Sequence, residues 1–145
     1  MRLTSTAFSD GGNIPNEFQV CRKKIPPLNI ESVPKDARSL ALIVEDQDAP
    51  GGAVTHWLLF NVDPNIQSLG TVPPGAQQGL NSFGEPTYGG PKPSPGEHRY
   101  IFKAYALDST LPTGARVKRD ELEAFMQNHI LDEATLTGRY EQRMR

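Results

Sequence analysis

Glycine and proline are unevenly distributed along this chain, and that constrains its fold more than any other property. Of 13 glycines and 13 prolines in 145 residues, only Gly138 lies beyond residue 114. Proline fixes φ and removes a backbone donor, and glycine loses the most entropy on ordering, so neither suits the interior of a helix or a paired strand. The first three quarters are therefore expected to be extended segments broken by turns, a mostly β arrangement. The last quarter is free to be helical. The length suits one domain over residues 1–145.

Three apolar runs stand out between the turns. Ser39 to Asp46 (SLALIVED) is apolar at nearly every position, as a strand covered on both faces requires. It stops at the turn-rich Asp46 to Gly52, and Val54 to Val62 (VTHWLLFNV) follows, bounded by Asp63-Pro64. These two pair either directly or across an intervening strand. His98 to Leu107 alternates, with His98, Tyr100, Phe102, Ala104 and Ala106 on one face. Further on, Leu122, Phe125, Met126 and Ile130 recur at helical spacing, which predicts a helix over Lys118–Leu131 packed on the sheet. His129 beside that stripe reads as a partly buried histidine bonded to the backbone. A short last strand is expected over Ala134–Tyr140.

Several function classes are excluded by composition. Fifteen Lys and Arg against 17 Asp and Glu give a net charge of −2, without the basic footprint of a nucleic-acid binder. No segment approaches the ~20 apolar residues of a membrane-spanning helix. Met1 to Asp10 lacks the apolar stretch of a signal peptide. The one cysteine, Cys21, forbids an internal disulfide and points to a reducing, cytoplasmic location.

The ionisable groups fall at strand ends. Asp46 closes the first run, His56 lies near the start of the second, and His98 opens the third. If these ends share a rim, the three converge on a small pocket suited to phosphate or a carboxylate, with Gly89 and Gly90 exposing backbone N–H groups. Asp46 is expected to fix a histidine tautomer and raise its pKa. Asp46 and Asp48 would sit on opposite faces of an extended strand, which argues against an acid/base dyad, and one of the two is expected to be tied up in turn hydrogen bonds or an ion pair with Arg99. The segment Gly84 to Gly96 holds eight Gly or Pro in 13 residues, a shaped loop rather than a linker, and with Gly51-Gly52 it is expected to wall the pocket. No HxH or HExxH spacing supports a metal, no G-x-S-x-G marks a nucleophile, and Cys21 has no catalytic signature. No catalytic residue, metal or cofactor is assigned.

Taken in order, Ser5 to Pro15, Asp46-Gln47-Asp48-Ala49-Pro50, His56-Trp57, Tyr88-Gly89-Gly90-Pro91, His98-Arg99-Tyr100 and Gly138-Arg139-Tyr140 resemble the phosphatidylethanolamine-binding protein (Raf kinase inhibitor protein-like) family, in its short bacterial and archaeal branch. The resemblance covers essentially the whole chain. It implies a large antiparallel β-sheet, a smaller sheet on one side and a C-terminal helix. It also implies an anion pocket formed by Asp46, His56, Gly90, Pro91, His98 and Tyr100, and a homodimer. Trp57, expected on the other side of its strand from His56, is read as packing. Departures are Gln47 in place of the proline of an Asp-Pro-Asp turn, the basic Arg22-Lys23-Lys24 after Cys21, and Lys92 where bacterial relatives often carry cysteine. The function expected is non-enzymatic: a small anionic, phosphate-like ligand is bound and a partner such as a kinase or protease is modulated. The alternative is a hydrolase using the His/Asp cluster for acid/base catalysis.

Overall fold

Every one of the eight residues of Ser39–Asp46 is buried, because this strand lies at the centre of the larger sheet with both faces covered. The computed structural model describes residues 1–91, 93–112 and 116–142, so Lys92 lies outside the described residues. The elements are β1 (Arg2–Thr4), β2 (Gly12–Asn13), β3 (Leu28–Glu31), β4 (Ser39–Asp46), β5 (Val54–Val62), β6 (Ser68–Leu69), β7 (Gln77–Gln78), β8 (Gly96–Leu107), α1 (Arg119–Met126) and β9 (Ile130–Gln142). The larger sheet has the order β2-β9-β8-β4-β5-β7 and the smaller β1-β3-β6. Pairing is antiparallel except between β2 and β9. The first two apolar runs therefore pair directly, with β8 on the far side of β4.

The two faces of β4 feed two cores. Leu40, Leu42 and Val44 pack with Trp57, Tyr100 and Phe102 against Leu3, Leu28 and Ile30 of the smaller sheet. Ala41 and Ile43 meet Leu58, Phe60 and the helix residues Leu122 and Met126. Each of the large aliphatic side chains buried here contributes about 1.5–3 kcal/mol. At Gly138 the N-terminal segment crosses so closely that a methyl group would overlap Ile14 and Phe8, so glycine is required by packing.

Among the described residues the fold is mostly β, with one α-helix and two sheets, in line with the turn content, but its C-terminal boundaries differ from expectation. The helix ends at Met126, Asn128 takes a left-handed φ of 71°, and the chain reverses. From Ile130 it is a 13-residue strand paired with the whole of β8. Ile130 continues the helical spacing by coincidence; it and Leu131 are both exposed and belong to the strand. Long-range pairing has overridden a local periodicity. His129 meets the Asp108 carboxylate at 2.7 Å rather than a backbone carbonyl.

Two irregularities in β5 matter for the site. Leu40 faces Val62 while Leu42 faces Leu59, which leaves an extra residue in β5, and Asn61 there has a φ of 56°. Val44 faces Trp57 while Glu45 faces Thr55, so His56 is the second extra residue. A bulge of this kind re-aims a side chain. It brings His56 and Trp57 to the same face: Trp57 packs in the core that holds Tyr100, and the His56 ring lies 5.6 Å from the Tyr100 ring. The opposite-side expectation for Trp57 is thus overturned. Its role in packing stands, with no exposure, an edge contact to Tyr88 and an indole N–H donated to Gln78 Oε1 at 2.7 Å.

Candidate functional site

Three strand ends meet at one rim because the register requires it. Asp46 at the end of β4 faces Val54 of β5 on one side and Tyr100 of β8 on the other. His98 is two residues before Tyr100 and so shares its face. Asp46, His56, His98 and Tyr100 are all nearly inaccessible, at 2%, 3%, 3% and 1% exposure.

The Asp46 carboxylate organises the rim. Its Oδ1 accepts the Asp48 amide at 3.0 Å, and its Oδ2 lies 2.7 Å from His98 Nδ1. On the other edge of that ring, Nε2 lies 2.8 Å from the Ser94 carbonyl and 3.3 Å from Ser94 Oγ. His98 is thus held on both edges, by a carboxylate at Nδ1 and by Ser94 at Nε2. Gln47 donates its amide to the Arg99 carbonyl at 2.9 Å, a bond that proline at this position would lack. It extends the β4–β8 ladder by one rung and holds Asp46 in line. Of the two aspartates it is Asp48 that pairs with Arg99, accepting the Arg99 backbone amide at 2.8 Å, Nε at 2.9 Å and Nη2 at 2.9 Å. Those bonds hold its carboxyl at about 2.

His56 behaves differently. Its Nδ1 donates to the Gly89 carbonyl at 2.8 Å, and the Gly89 amide returns a bond to the His56 carbonyl at 3.2 Å. Burial draws its pKa below the ordinary 6.5, against the opposing influence of the Gly89 carbonyl and Asp46, and the neighbouring His98 adds to the fall. The expectation of a raised histidine pKa fails at this ring. On acidification the unfolded chain protonates at this histidine before the folded one does, so the fold loses this contribution as the pH drops below 6.5. An NMR titration should show the His56 ring protonating below that value; a midpoint above it would contradict the assignment.

A cavity of about 240 Å3 opens above these groups, with Asp46, His56 and His98 at its polar end and Pro50, Phe83, Pro91 and Pro93 among its apolar walls. Of the six predicted residues, Asp46, His56, Pro91 and His98 border it. Gly90 sits behind His56 with a φ of 135°, where a Cβ would stand 2.7 Å from Nδ1. Tyr100 lies against His56, and its buried hydroxyl has no hydrogen-bond partner among the described residues. Ala49, Pro50 and Val54 form the wall opposite the 84–96 loop, not Gly51-Gly52. The sequence reading missed Phe83 and Ser94. Asn81 two residues before Phe83 is an Asx-turn signature, and Ser94 four residues before His98 is within reach of a loop. Among the described residues no three His, Cys, Asp or Glu side chains gather as a metal site.

On the far side of the sheet, Glu45 pins the same strand end, with Arg119 Nη2 at 2.6 Å and Lys103 Nζ at 3.1 Å. Burial would raise its pKa, but these two cations outweigh it and hold the carboxyl below its usual range.

The family model described as phosphatidylethanolamine-binding protein matches residues 4–141. The chain belongs to the phosphatidylethanolamine-binding protein family. A UPF0098 protein of Methanothermobacter thermautotrophicus is 40% identical over 97% of this chain and 98% of its own length. The crystal structure of a family homologue from Chlamydia trachomatis superposes with a TM-score of 0.91 at 41% identity, covering 97% of each chain. YbcL of E. coli, described as a member of the mammalian family, gives a TM-score of 0.88 at 27% identity over 98% of each chain. Family membership accounts for the two-sheet architecture. No helix among the described residues is long and apolar enough to cross a membrane.

Proposed function

We propose that this family member is a non-catalytic, cytoplasmic binding protein whose Asp46–His98–His56 cavity seats a small oxyanion, phosphate-like or carboxylate, and that occupancy modulates a partner such as a kinase or protease. One observation carries the reading: a hydrogen-bonded Asp46–His98 pair, each about 3% exposed, faces a cavity of about 240 Å3 whose other lining among the described residues is apolar apart from His56 and Ser94. Such a pair is costly to bury and is an oriented dipole in a dry site, where polar interactions are stronger than in water. An entering oxyanion takes the acceptor place that the Ser94 carbonyl holds at His98 Nε2. The phosphatidylethanolamine of the family's name carries such a phosphate. A lipid surface is not favoured, since Lys23 and Lys24 of the basic triplet face Glu85 and Glu17.

Hydrolysis is the second reading, because Asp46, His98 and Ser94 Oγ follow one another at 2.7 and 3.3 Å. It is the weaker one. The closer neighbour of His98 Nε2 is the Ser94 carbonyl at 2.8 Å, so that nitrogen is turned to the backbone rather than to the hydroxyl it would have to deprotonate. Titrating inorganic phosphate into the protein should shift the His56 and His98 ring signals at millimolar concentration. Unmoved signals overturn the proposal, as would turnover of nitrophenyl esters that Ser94→Ala abolishes.

A further inference from the structure

Phe83 is the one aromatic side chain among the exposed large hydrophobics of the described residues, at 43% exposure, and it stands at the mouth of the cavity. A lone exposed phenylalanine is ordinary on a protein surface. This one is held in place. Asn81, 5% exposed, accepts the Phe83 amide at 2.9 Å and the Glu85 amide at 3.1 Å through Oδ1, and donates Nδ2 to the Thr87 carbonyl at 3.1 Å. Ser82 is tied to Thr55, the neighbour of His56, by two further bonds of 2.8 Å. The turn that carries Phe83 is thus fixed to the strand that carries His56, and the two rings lie 5.6 Å apart at 39°.

The rest of the cavity fits a flat apolar group. Pro50, Pro91 and Pro93 join Phe83 on its walls, and Asp46 is the one acidic side chain there. A bare oxyanion engages only the polar end and leaves the Phe83 ring wet. We propose that Phe83 is a specificity-determining platform, and that the ligand class is an aryl oxyanion, a phosphate or carboxylate whose aromatic ring stacks on Phe83 while its charged end reaches the histidines. This rests on the oxyanion reading above and narrows it. Offset or tilted ring pairs contribute beyond the area they bury, and the walls add ordinary apolar burial.

The test compares phenyl phosphate with methyl phosphate, and benzoate with acetate, by the histidine ring shifts. In the wild type the aryl member of at least one pair should bind about tenfold more tightly than its methyl counterpart. Phe83→Ala should reduce that ratio to about two or less, and Phe83→Tyr should restore it. Phe83 is exposed and outside both cores, so its variants should fold. Ratios near one in both wild-type pairs, or a ratio that survives Phe83→Ala, overturn the platform while leaving anion binding intact. If none of the four probes, nor inorganic phosphate, moves the histidine signals, the oxyanion reading falls and the platform with it.

Discussion

Asp46→Ala is expected to destabilise the protein by about 1–3 kcal/mol, because it leaves the buried His98 Nδ1 without its hydrogen-bond partner. It also deprives the Asp48 amide of its acceptor at 3.0 Å. Asp48→Ala is the matched control two residues away. Asp48 has 30% of its side chain exposed and Arg99 53%, so this ion pair is worth about 1 kcal/mol or less. Urea denaturation of the two variants at neutral pH should separate them by several-fold in loss of stability. Equal losses would show that the buried Asp46–His98 contact adds no more to stability than the exposed Asp48–Arg99 pair. Phosphate binding should vanish with Asp46→Ala.

Gly90→Ala should be nearly as damaging, for two separable reasons. Its φ of 135° is a conformation in which a side chain is strained, at a cost of about 1–3 kcal/mol. The added Cβ would also stand 2.7 Å from His56 Nδ1 and 2.8 Å from the Phe83 ring. Gly52→Ala supplies the strain without the collision, since Gly52 has a φ of 123° and nothing within 4 Å of the new methyl. The expected result is a similar backbone cost for both, with a shifted His56 signal and at least about tenfold weaker phosphate binding only for Gly90→Ala. Normal binding by Gly90→Ala would remove the 89–90 segment from the site.

Much of this was legible in the residues because the information was local. An eight-residue apolar run such as β4 needs no partner to be identified as a doubly covered strand, and alternation along β8 assigns Tyr100 and Phe102 to one core unaided. The positions of Asp46 and His98 at strand ends follow from the same runs. What escaped was non-local. The length of β9 is fixed by its pairing with β8, which the helical spacing of Leu122, Met126 and Ile130 does not register. The bulge at His56 is a property of two strands counted together, so alternation within β5 put Trp57 on the wrong face. Phe83 escaped because an exposed aromatic in a turn has no periodicity. Its significance depends on Asn81 and on a strand that starts 29 residues earlier.

The bulge at His56 also bears on how the site can change through evolution. Val44 meets Trp57 and Glu45 meets Thr55 on either side of it, so His56 is supernumerary to the β4–β5 pairing. The ladder imposes no side-chain requirement at that position, unlike at its neighbours. Selection at residue 56 thus comes chiefly from the cavity and from the rings packed around it. On the proposed reading, exchanging this histidine would recast the cavity while the rest of β5 keeps its register.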